Sequence, residues 1–198
     1  MTRTSGNQGE DRSKEDFCFP RKLDKRDEVN GFQSGAEELD EWLSQFARVN
    51  QKANNAVTYV TTTAERRVVG YYAITVAGVS KQNVPSEVAG NSPPADVPCV
   101  LLARLAVDWE YQERGIGAAL FADSLQRAVA LSQSVGVRAF LIHARDEDAR
   151  RFYMKHADLF QSPTDPLHLM IPIHLIRAGA EANSSPVQES AEAPDLNR

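Results

Sequence analysis

One glycine-containing turn constrains this chain of 198 residues more than any other segment. An apolar run ends at Val107, a short polar connection follows, and Gln112-Glu-Arg-Gly-Ile-Gly117 leads into a helical pattern. The two glycines allow a sharp backbone turn and leave several N–H groups uncovered by side chains. The positive end of the following helix dipole falls at the same place. The spacing therefore predicts a strand, a loop and a helix that together hold a pyrophosphate.

Three phosphate-binding motifs share this general form. A Walker loop requires Gly-Lys-Ser or Gly-Lys-Thr, whereas this chain has Gly115-Ile-Gly117-Ala118. A dinucleotide fold places Gly-x-Gly-x-x-Gly early in a βαβ unit, but here the third glycine is absent and more than half of the chain precedes the loop. The third motif, Gln/Arg-x-x-Gly-x-Gly/Ala, matches Gln112, Gly115 and Gly117. A strand-to-helix turn without a ligand is the remaining alternative.

The composition is that of one globular domain, with 42% hydrophobic and 25% charged residues. No apolar run approaches the roughly 18 residues of a membrane span, and residues 1–16 lack the apolar core of a signal peptide. Cys18 and Cys99 stand alone, and the four histidines show no zinc-ligand spacing, so we expect a cytoplasmic protein without a metal site. The net charge of −5 arises mostly from the two ends, and nucleic-acid binding is neither indicated nor excluded.

Periodicity predicts the order of elements within that domain. Residues 1–16 and 178–198 are polar and without apolar periodicity, so both are expected to be disordered, flanking a folded domain over residues 17–177. Helices are predicted from a capping box at Ser34–Glu37 to residue 54, over 115–133 and over 146–156. Strands are predicted over 57–63, 68–79, 100–107, 137–144 and 167–175, with a loop over 80–97. The order αβββαβαβ indicates an α+β fold with a mixed sheet covered by helices.

Over residues 17–176 the chain resembles the GNAT acetyltransferases. Within that superfamily it is similar to the toxins of type II toxin–antitoxin modules that acetylate aminoacyl-tRNA. The motifs that carry the resemblance are Phe32-x-Ser-Gly35, Leu39-Asp-x-Trp-Leu43, Leu102-x-Arg-Leu-Ala-Val-Asp108, Gln112-x-x-Gly-x-Gly117, Ala149-Arg-x-Phe-Tyr153 and Ser162-Pro-x-Asp-Pro166. The Gln112 motif specifies only the superfamily, whereas the first, third and last together are specific to the toxin branch. The Gly-Phe pair that the family carries after its tyrosine is absent here.

The resemblance implies acetyl-CoA as a co-substrate and no metal. Tyr153 is then the general acid that protonates the departing thiolate, and the N–H of Val107 is the oxyanion donor at the end of a splayed strand. The implied cofactor-binding residues are Leu105, Ala106, Val107, Gln112, Glu113, Arg114, Gly115, Ile116, Gly117, Ala118 and Phe152.

No glutamate or aspartate stands out in the sequence as a general base. An α-amine, with a pKa near 8, is partly neutral at cytoplasmic pH, whereas a lysine amine, with a pKa of about 10.4, is not. The sequence therefore favours an α-amine acceptor. If that acceptor is charged tRNA, we expect its phosphates to be contacted by arginines near the reaction centre. These are Arg104, Arg145, Arg150 and Arg151.

The resemblance also implies partners. It implies a homodimer, an antitoxin of ribbon-helix-helix type, contact with operator DNA only through the antitoxin complex, and no membrane. Two other functions stay open: a GNAT enzyme that acts on a small-molecule amine or a protein N-terminus, and a catalytically silent GNAT fold used for binding or repression. Tyr153 and the intact glycine loop argue against the silent fold.

Overall fold

The structure, a computed structural model, describes residues 17–184; the predicted extension 1–16 and residues 185–198 lie outside this range. The strands are β1 (Arg21–Lys22), β2 (Val57–Thr62), β3 (Val68–Ser80), β4 (Asp96–Val107), β5 (Ala139–His143), β6 (Phe160–Gln161) and β7 (His168–Pro172). The helices are α1 (Glu37–Glu41), α2 (Ala47–Lys52), α3 (Ser86–Ala89), α4 (Ile116–Ser132), α5 (Glu147–His156) and α6 (Ile173–Ser184), with short 3-10 turns at Lys81–Asn83 and Trp109–Tyr111.

One seven-stranded sheet, in the order β1-β2-β3-β4-β5-β7-β6, organises these elements. Only β4 and β5 run parallel, and every other neighbouring pair is antiparallel. The predicted mixed sheet and the predicted hairpin, now β2 and β3, are confirmed. The sheet is covered on both faces, with α4, α5 and α6 on one face and α1, α2 and α3 on the other.

Helix α4 lies unusually close to β3 because Gly70 has no side chain. A Cβ atom built at Gly70 would lie 2.9 Å from Leu120 Cδ1 and 3.0 Å from Ile116 Cγ2. A side chain at position 70 would clash with these atoms and push α4 away from the sheet. The absence of a side chain at Gly70 therefore determines how closely α4 packs on β3.

The first helix begins differently from the prediction. A π-helical segment over Trp42–Phe46 joins α1 to α2, and Ala36 is the N-cap residue without a side-chain hydrogen bond. The capping box between Ser34 and Glu37 is therefore not formed. Instead, Asp40 Oδ1 accepts hydrogen bonds from the Ser34 N–H at 2.8 Å and from its hydroxyl at 2.6 Å. Ser34 lies two residues before the N-cap residue. The carboxylate that reaches it is therefore that of Asp40, almost one helical turn beyond Glu37.

The second half of the chain contains more regular structure than predicted. The segment expected to be a loop over 80–97 contains α3, and β4 begins at Asp96. The last strand ends at Pro172 rather than at residue 175, and α6 then extends seven residues into the range 178–198 that was expected to be disordered. Ile173 and Ile176 pack into the main core, and this apolar contact outweighs the polar composition of the residues that follow. No helix within residues 17–184 is long and apolar enough to cross a membrane.

Asp27 joins three elements of the fold through its carboxylate and its backbone carbonyl oxygen. Its side chain is fully buried and accepts two hydrogen bonds from Arg21, at 2.7 and 2.8 Å, and one from Arg66 at 2.6 Å. The Asp24 N–H donates to the same carboxylate at 2.8 Å. Arg48 of α2 donates to the Asp27 carbonyl oxygen at 2.6 Å. These hydrogen bonds hold β1, the β2–β3 turn and α2 against one another.

Candidate active site

The strands β4 and β5 separate after Leu102. Their parallel pairing joins Cys99–Leu102 to Ala139–Ile142 and ends there, although β4 continues to Val107. In the same region the pairing of β4 with β3 shifts by one residue, which leaves Ala103 as the extra residue of a β-bulge. The bulge bends β4 away from β5, so no described strand pairs with residues 103–107 on that side. The sheet is therefore split by an open cleft.

The backbone groups of β4 alternate between β3 and this cleft. The Asp108 N–H donates to the Val69 carbonyl on β3 at 2.9 Å. Because antiparallel strands direct alternate residues at their partner, Ala106 also presents its N–H and C=O to β3, whereas Leu105 and Val107 present theirs to the cleft. Two N–H donors therefore line the cleft. The backbone of Ala106, which was expected to pair with the cofactor, is directed at β3 instead.

Hydrogen bonds fix the glycine loop, Gln112–Gly117, against the segment that precedes α1. The Gln112 side-chain amide donates to the carbonyl oxygens of Val107 and Ser34, each at 3.0 Å. The Trp109 N–H donates to the Gln33 carbonyl at 2.7 Å. The loop is thus held to both the cleft strand and the approach to α1.

The glycine loop ends in the N-terminus of α4. Gly115 is the N-cap residue with φ of 80°, a conformation that side chains disfavour, which is why glycine is needed here. Ile116, Gly117 and Ala118 open the helix, and their N–H groups have no carbonyl one turn earlier in the helix. The Ala119 N–H is the first to be taken, by the Gly115 carbonyl at 3.0 Å. Three N–H groups and the helix dipole therefore favour an anion at this point.

The loop, the cleft strand and α5 meet at Gly117. A Cβ atom built there would lie 3.5 Å from the Phe152 ring and 3.6 Å from Val107 Cγ2, both ordinary contact distances. The structure thus brings together residues of three predicted segments. Two loop residues face outward: Glu113 is exposed with φ of 61°, and Arg114 lies with its guanidinium 5.0 Å from the Tyr111 ring centroid.

Tyr153 lies in the core beside this junction. Its ring makes edge contacts with Phe121 and Phe152, with centroid separations of 5.2 and 5.3 Å. Its hydroxyl makes no hydrogen bond to any residue in the described range. Burial raises the pKa of the Tyr153 phenol, so the group stays protonated through neutral and mildly alkaline pH. It is an unengaged proton donor in apolar surroundings.

Arg104 lies on the opposite face of the split sheet, the face covered by α1 and α2. Its guanidinium is 5.6 Å from the Trp42 ring centroid and donates to the Ala103 carbonyl at 2.8 Å. It forms no ion pair with a carboxylate among residues 17–184. The sequence predicts Trp42 only as a buried helix residue. Its half-exposed position beside Arg104 lies in the π-helical segment, which no sequence pattern predicts.

The other three predicted arginines are engaged with carboxylates. Arg145 connects the loop after β5 to α1, and the other two pair with residues three positions earlier on α5. The pairs are Arg145–Glu38 at 3.2 Å, Arg145–Asp146 at 2.9 Å, Arg150–Glu147 at 2.6 Å and Arg151–Asp148. Exposed pairs of this kind contribute little to stability, but they neutralise the charge that a phosphate would meet. No cluster of three or more metal-ligating side chains occurs in the described part of the chain.

Comparison with known proteins finds relatives of this chain both in sequence and in structure. The model of the acetyltransferase (GNAT) family matches residues 21–157. A tRNA-acetylating toxin of Mycobacterium tuberculosis is 42% identical over 162 residues, which cover 82% of this chain and 96% of that protein. The structure of AtaT complexed with acetyl-methionyl-tRNAfMet is 24% identical, with a TM-score of 0.76, and covers 83% of this chain and 99% of that one. A mutant AtaT toxin bound to the C-terminus of the antitoxin AtaR and acetyl-CoA has a TM-score of 0.70 at 23% identity, covering 83% of this chain and 98% of that one.

Proposed function

The chain belongs to the GNAT acetyltransferase family, and from that membership we propose that it is a toxin that transfers the acetyl group of acetyl-CoA to the amino acid of aminoacyl-tRNA, which blocks translation. The observation that carries the proposal is that β4 separates from β5 and its end meets the anion site of α4 at Gly117, against Phe152, whose ring contacts Tyr153. The relative from Mycobacterium tuberculosis carries the same activity in its name.

We assign donor binding to the glycine loop and the cleft strand. The N–H groups of Ile116, Gly117 and Ala118 face the pyrophosphate of CoA, with the helix dipole behind them. The backbone groups of Leu105 and Val107 pair with the pantetheine arm where β5 is absent. Phe152 packs along the same path. The fit rests on the edge of β4 that has no strand partner, where the N–H groups of Leu105 and Val107 and the Leu105 carbonyl are directed at the cleft as an extended amide chain requires. The Val107 carbonyl on this edge is taken by Gln112.

The chemistry follows from the two N–H donors and the phenol. The amine nitrogen attacks the thioester carbonyl carbon, and the developing oxyanion is held by the N–H of Val107 or of Leu105. These two groups lie about 6.6 Å apart along the strand, so a single oxygen accepts from only one of them and the other is left for the pantetheine arm. One such donor is worth about 3–4 kcal/mol in comparable sites. When the C–S bond breaks, Tyr153 gives its proton to the thiolate. The apolar surroundings that raise the pKa of the phenol also disfavour the thiolate, so desolvation shifts the pKa values of donor and acceptor in the same direction.

The acceptor approaches from the face of α1 and α2. Among the four predicted arginines, Arg104 is the best placed for a phosphate or the terminal nucleotide, because it has no carboxylate partner and lies on the cleft strand. Arg145, Arg150 and Arg151 would first have to exchange their ion pairs. A planar guanidinium beside the half-exposed Trp42 ring also provides a surface on which a base can stack.

The partners of the chain are proposed from its relatives. AtaT is seen with the C-terminus of its antitoxin, and we propose that this chain is neutralised by a cognate antitoxin of ribbon-helix-helix type. Operator DNA would be contacted only through that complex, and the active form would be a homodimer in the cytoplasm, where charged tRNA occurs. We place the catalytic domain at residues 17–184, with α6 as its last element.

The test of the function is transfer of labelled acetyl from acetyl-CoA to a panel of aminoacyl-tRNAs. We expect label in the amino acid of at least one charged tRNA and none in the same tRNA after deacylation. Small amines and peptides with free N-termini serve as competing acceptors. Label found only in those acceptors would assign the chain to another GNAT specificity and contradict the proposal.

The glycine loop provides a matched pair of substitutions. Gly115→Ala forces a side chain into φ of 80° and should weaken acetyl-CoA binding about tenfold, because the αL conformation costs roughly 1–2 kcal/mol for an alanine. Gly117→Ala places its methyl group at ordinary contact distances from Phe152 and Val107 and should change the Kd less than threefold. Isothermal titration with acetyl-CoA measures both. Equal losses in the two variants would contradict the assigned role of the backbone at Gly115.

A further inference from the structure

A pair of stacked histidines lies at the edge of the cleft, outside the site described above. His143 is the residue after Ile142, the last residue of β5 that pairs with β4. It is directly opposite His168 of β7, and the two rings stack with centroids 3.9 Å apart and planes inclined by 22°. The sequence shows no zinc-ligand spacing around these histidines and predicts no catalytic role for them.

The side chain of His143 is directed at the acceptor face. Along β5, Phe140 and Ile142 pack beneath α4, whereas Leu141 packs on the other face of the sheet. Strand alternation places His143 on the same face as Leu141. Arg104 reaches that face from the other side of the split, where it contacts Trp42. The two strands that border the cleft therefore each present one basic side chain to the acceptor.

The imidazole of His143 is available for proton transfer. Its side chain reaches solvent although it is partly covered, and its ring nitrogens make no hydrogen bond to residues 17–184. Partial burial and the neighbouring His168 lower the pKa of His143, while Asp165, whose carboxylate is 3.4 Å from His168 Nε2, opposes this shift. These are the two titratable groups that act on it. The net effect keeps His143 neutral, and hence able to accept a proton, at pH 7.

We propose that His143 is the general base that takes the proton from the attacking α-amine, an inference that rests on the proposed function. The amine nitrogen forms its bond to the carbonyl carbon while one N–H proton passes to the imidazole. The tetrahedral adduct then expels the thiolate, which takes the Tyr153 proton. The products are the acetylated amine and CoA with its thiol protonated, and the imidazolium and the phenolate return to imidazole and phenol by proton exchange through solvent.

The test compares pH profiles of kcat/KM for His143→Gln and the unchanged protein with charged tRNA as acceptor. At pH 7 we expect the variant to lose about 100-fold, the lower end of general-base contributions. The loss should shrink as the pH falls below about 6.5, because the imidazole of the unchanged protein is then protonated and no longer accepts a proton. Imidazole added at millimolar concentration to His143→Ala should restore part of the rate.

Two further variants serve as controls. His174→Gln, on exposed α6, should leave the whole profile unchanged. His168→Gln keeps the imidazole of His143, so its profile should still show the fall in kcat/KM at acidic pH. A loss in His143→Gln that is the same at every pH, or no loss at all, would overturn the inference while leaving the transfer activity established. Absence of any transfer by the unchanged protein would overturn the proposed function and the inference together.

Discussion

Replacing Tyr153 by phenylalanine is expected to lower kcat for acetyl transfer by a factor of about 10²–10⁴, the range over which a positioned general acid acts. The KM for acetyl-CoA should stay within a factor of two or three, because the ring that packs on Phe121 and Phe152 is retained. The hydroxyl makes no hydrogen bond in the described range, so the melting temperature should also be unchanged. Initial rates with saturating acetyl-CoA, together with calorimetric binding of acetyl-CoA, separate these quantities.

Tyr59→Phe is the matched control for this substitution. Tyr59 is buried to a similar extent, at 8% exposure against 7% for Tyr153, and it belongs to the same core, but it lies on β2, away from the cleft. Its hydroxyl can be removed without a catalytic effect. Because burial raises the pKa of Tyr153, the rate of the unchanged protein should not fall between pH 8 and 9 through loss of this proton. Full activity in Tyr153→Phe would remove the phenol from the mechanism.

Asp27→Asn is expected to give the largest loss of stability among single polar substitutions in the described residues. Removing one partner of a buried ion pair costs about 3–5 kcal/mol, and the two arginines here are one-third exposed, so we expect about 3 kcal/mol. For a chain of this size that lowers the melting temperature by about 6–12 °C. Urea denaturation at pH 7 measures the loss. The rate per folded molecule should be unaffected, because Asp27 lies outside the cleft.

The effect should depend on pH with a defined sign. Burial alone raises the pKa of Asp27, but the hydrogen bond from Arg21, the backbone N–H of Asp24 and the charge of Arg66 together hold it below the usual value. A depressed carboxyl pKa stabilises the folded state above the unfolded value of about 3.9, and this contribution is lost as the pH falls through the folded pKa. The difference between the unchanged protein and Asp27→Asn should therefore shrink below pH 4.

Asp24→Asn is the control for the buried carboxylate. Asp24 pairs with Arg26 at 2.9 Å and with Arg66 at 3.4 Å, and these contacts lower its pKa to about 2, but it is partly exposed to solvent. Solvent screening makes such pairs weak. A loss of stability in Asp24→Asn as large as that in Asp27→Asn would show that burial is not the source of the effect.

The parts of the fold that depend on local pattern were predictable from the sequence. The β2–β3 hairpin, the strand before the glycine loop and α4 and α5 follow from periodicity, and their bounds agree within a few residues. The strands β1 and β6 were not predictable, because two residues are too few to show the alternation of apolar and polar residues that marks a strand. Helix α6 was not predicted at all: its first three residues were assigned to the last strand and residues 178–184 to a disordered tail, since its apolar contacts involve only its first turns.

The parts of the site that depend on pairing between distant strands were not predictable. The bulge at Ala103 is an offset between β4 and β3, and the orientation of the backbone at Ala106 follows from that pairing. The Tyr153 hydroxyl has no hydrogen-bond partner in the described range because no neighbouring residue brings an acceptor to it. The spacing of residues along the chain does not reveal which residues become its neighbours. The ion pairs of Arg145, Arg150 and Arg151 involve neighbouring carboxylates that were visible in the sequence, but their formation depends on rotamers rather than on pattern.

The hydrogen bonds of Gln112 have a thermodynamic consequence. One amide group holds both the carbonyl of Val107, in the cleft, and the carbonyl of Ser34, at the approach to α1. A ligand that orders the loop therefore also orders the wall that the acceptor meets. By thermodynamic linkage, the factor by which bound acetyl-CoA changes the affinity for the acceptor equals the factor by which the bound acceptor changes the affinity for acetyl-CoA. One amide thus connects the sites proposed for the two substrates, and any coupling between their affinities is equal in the two directions.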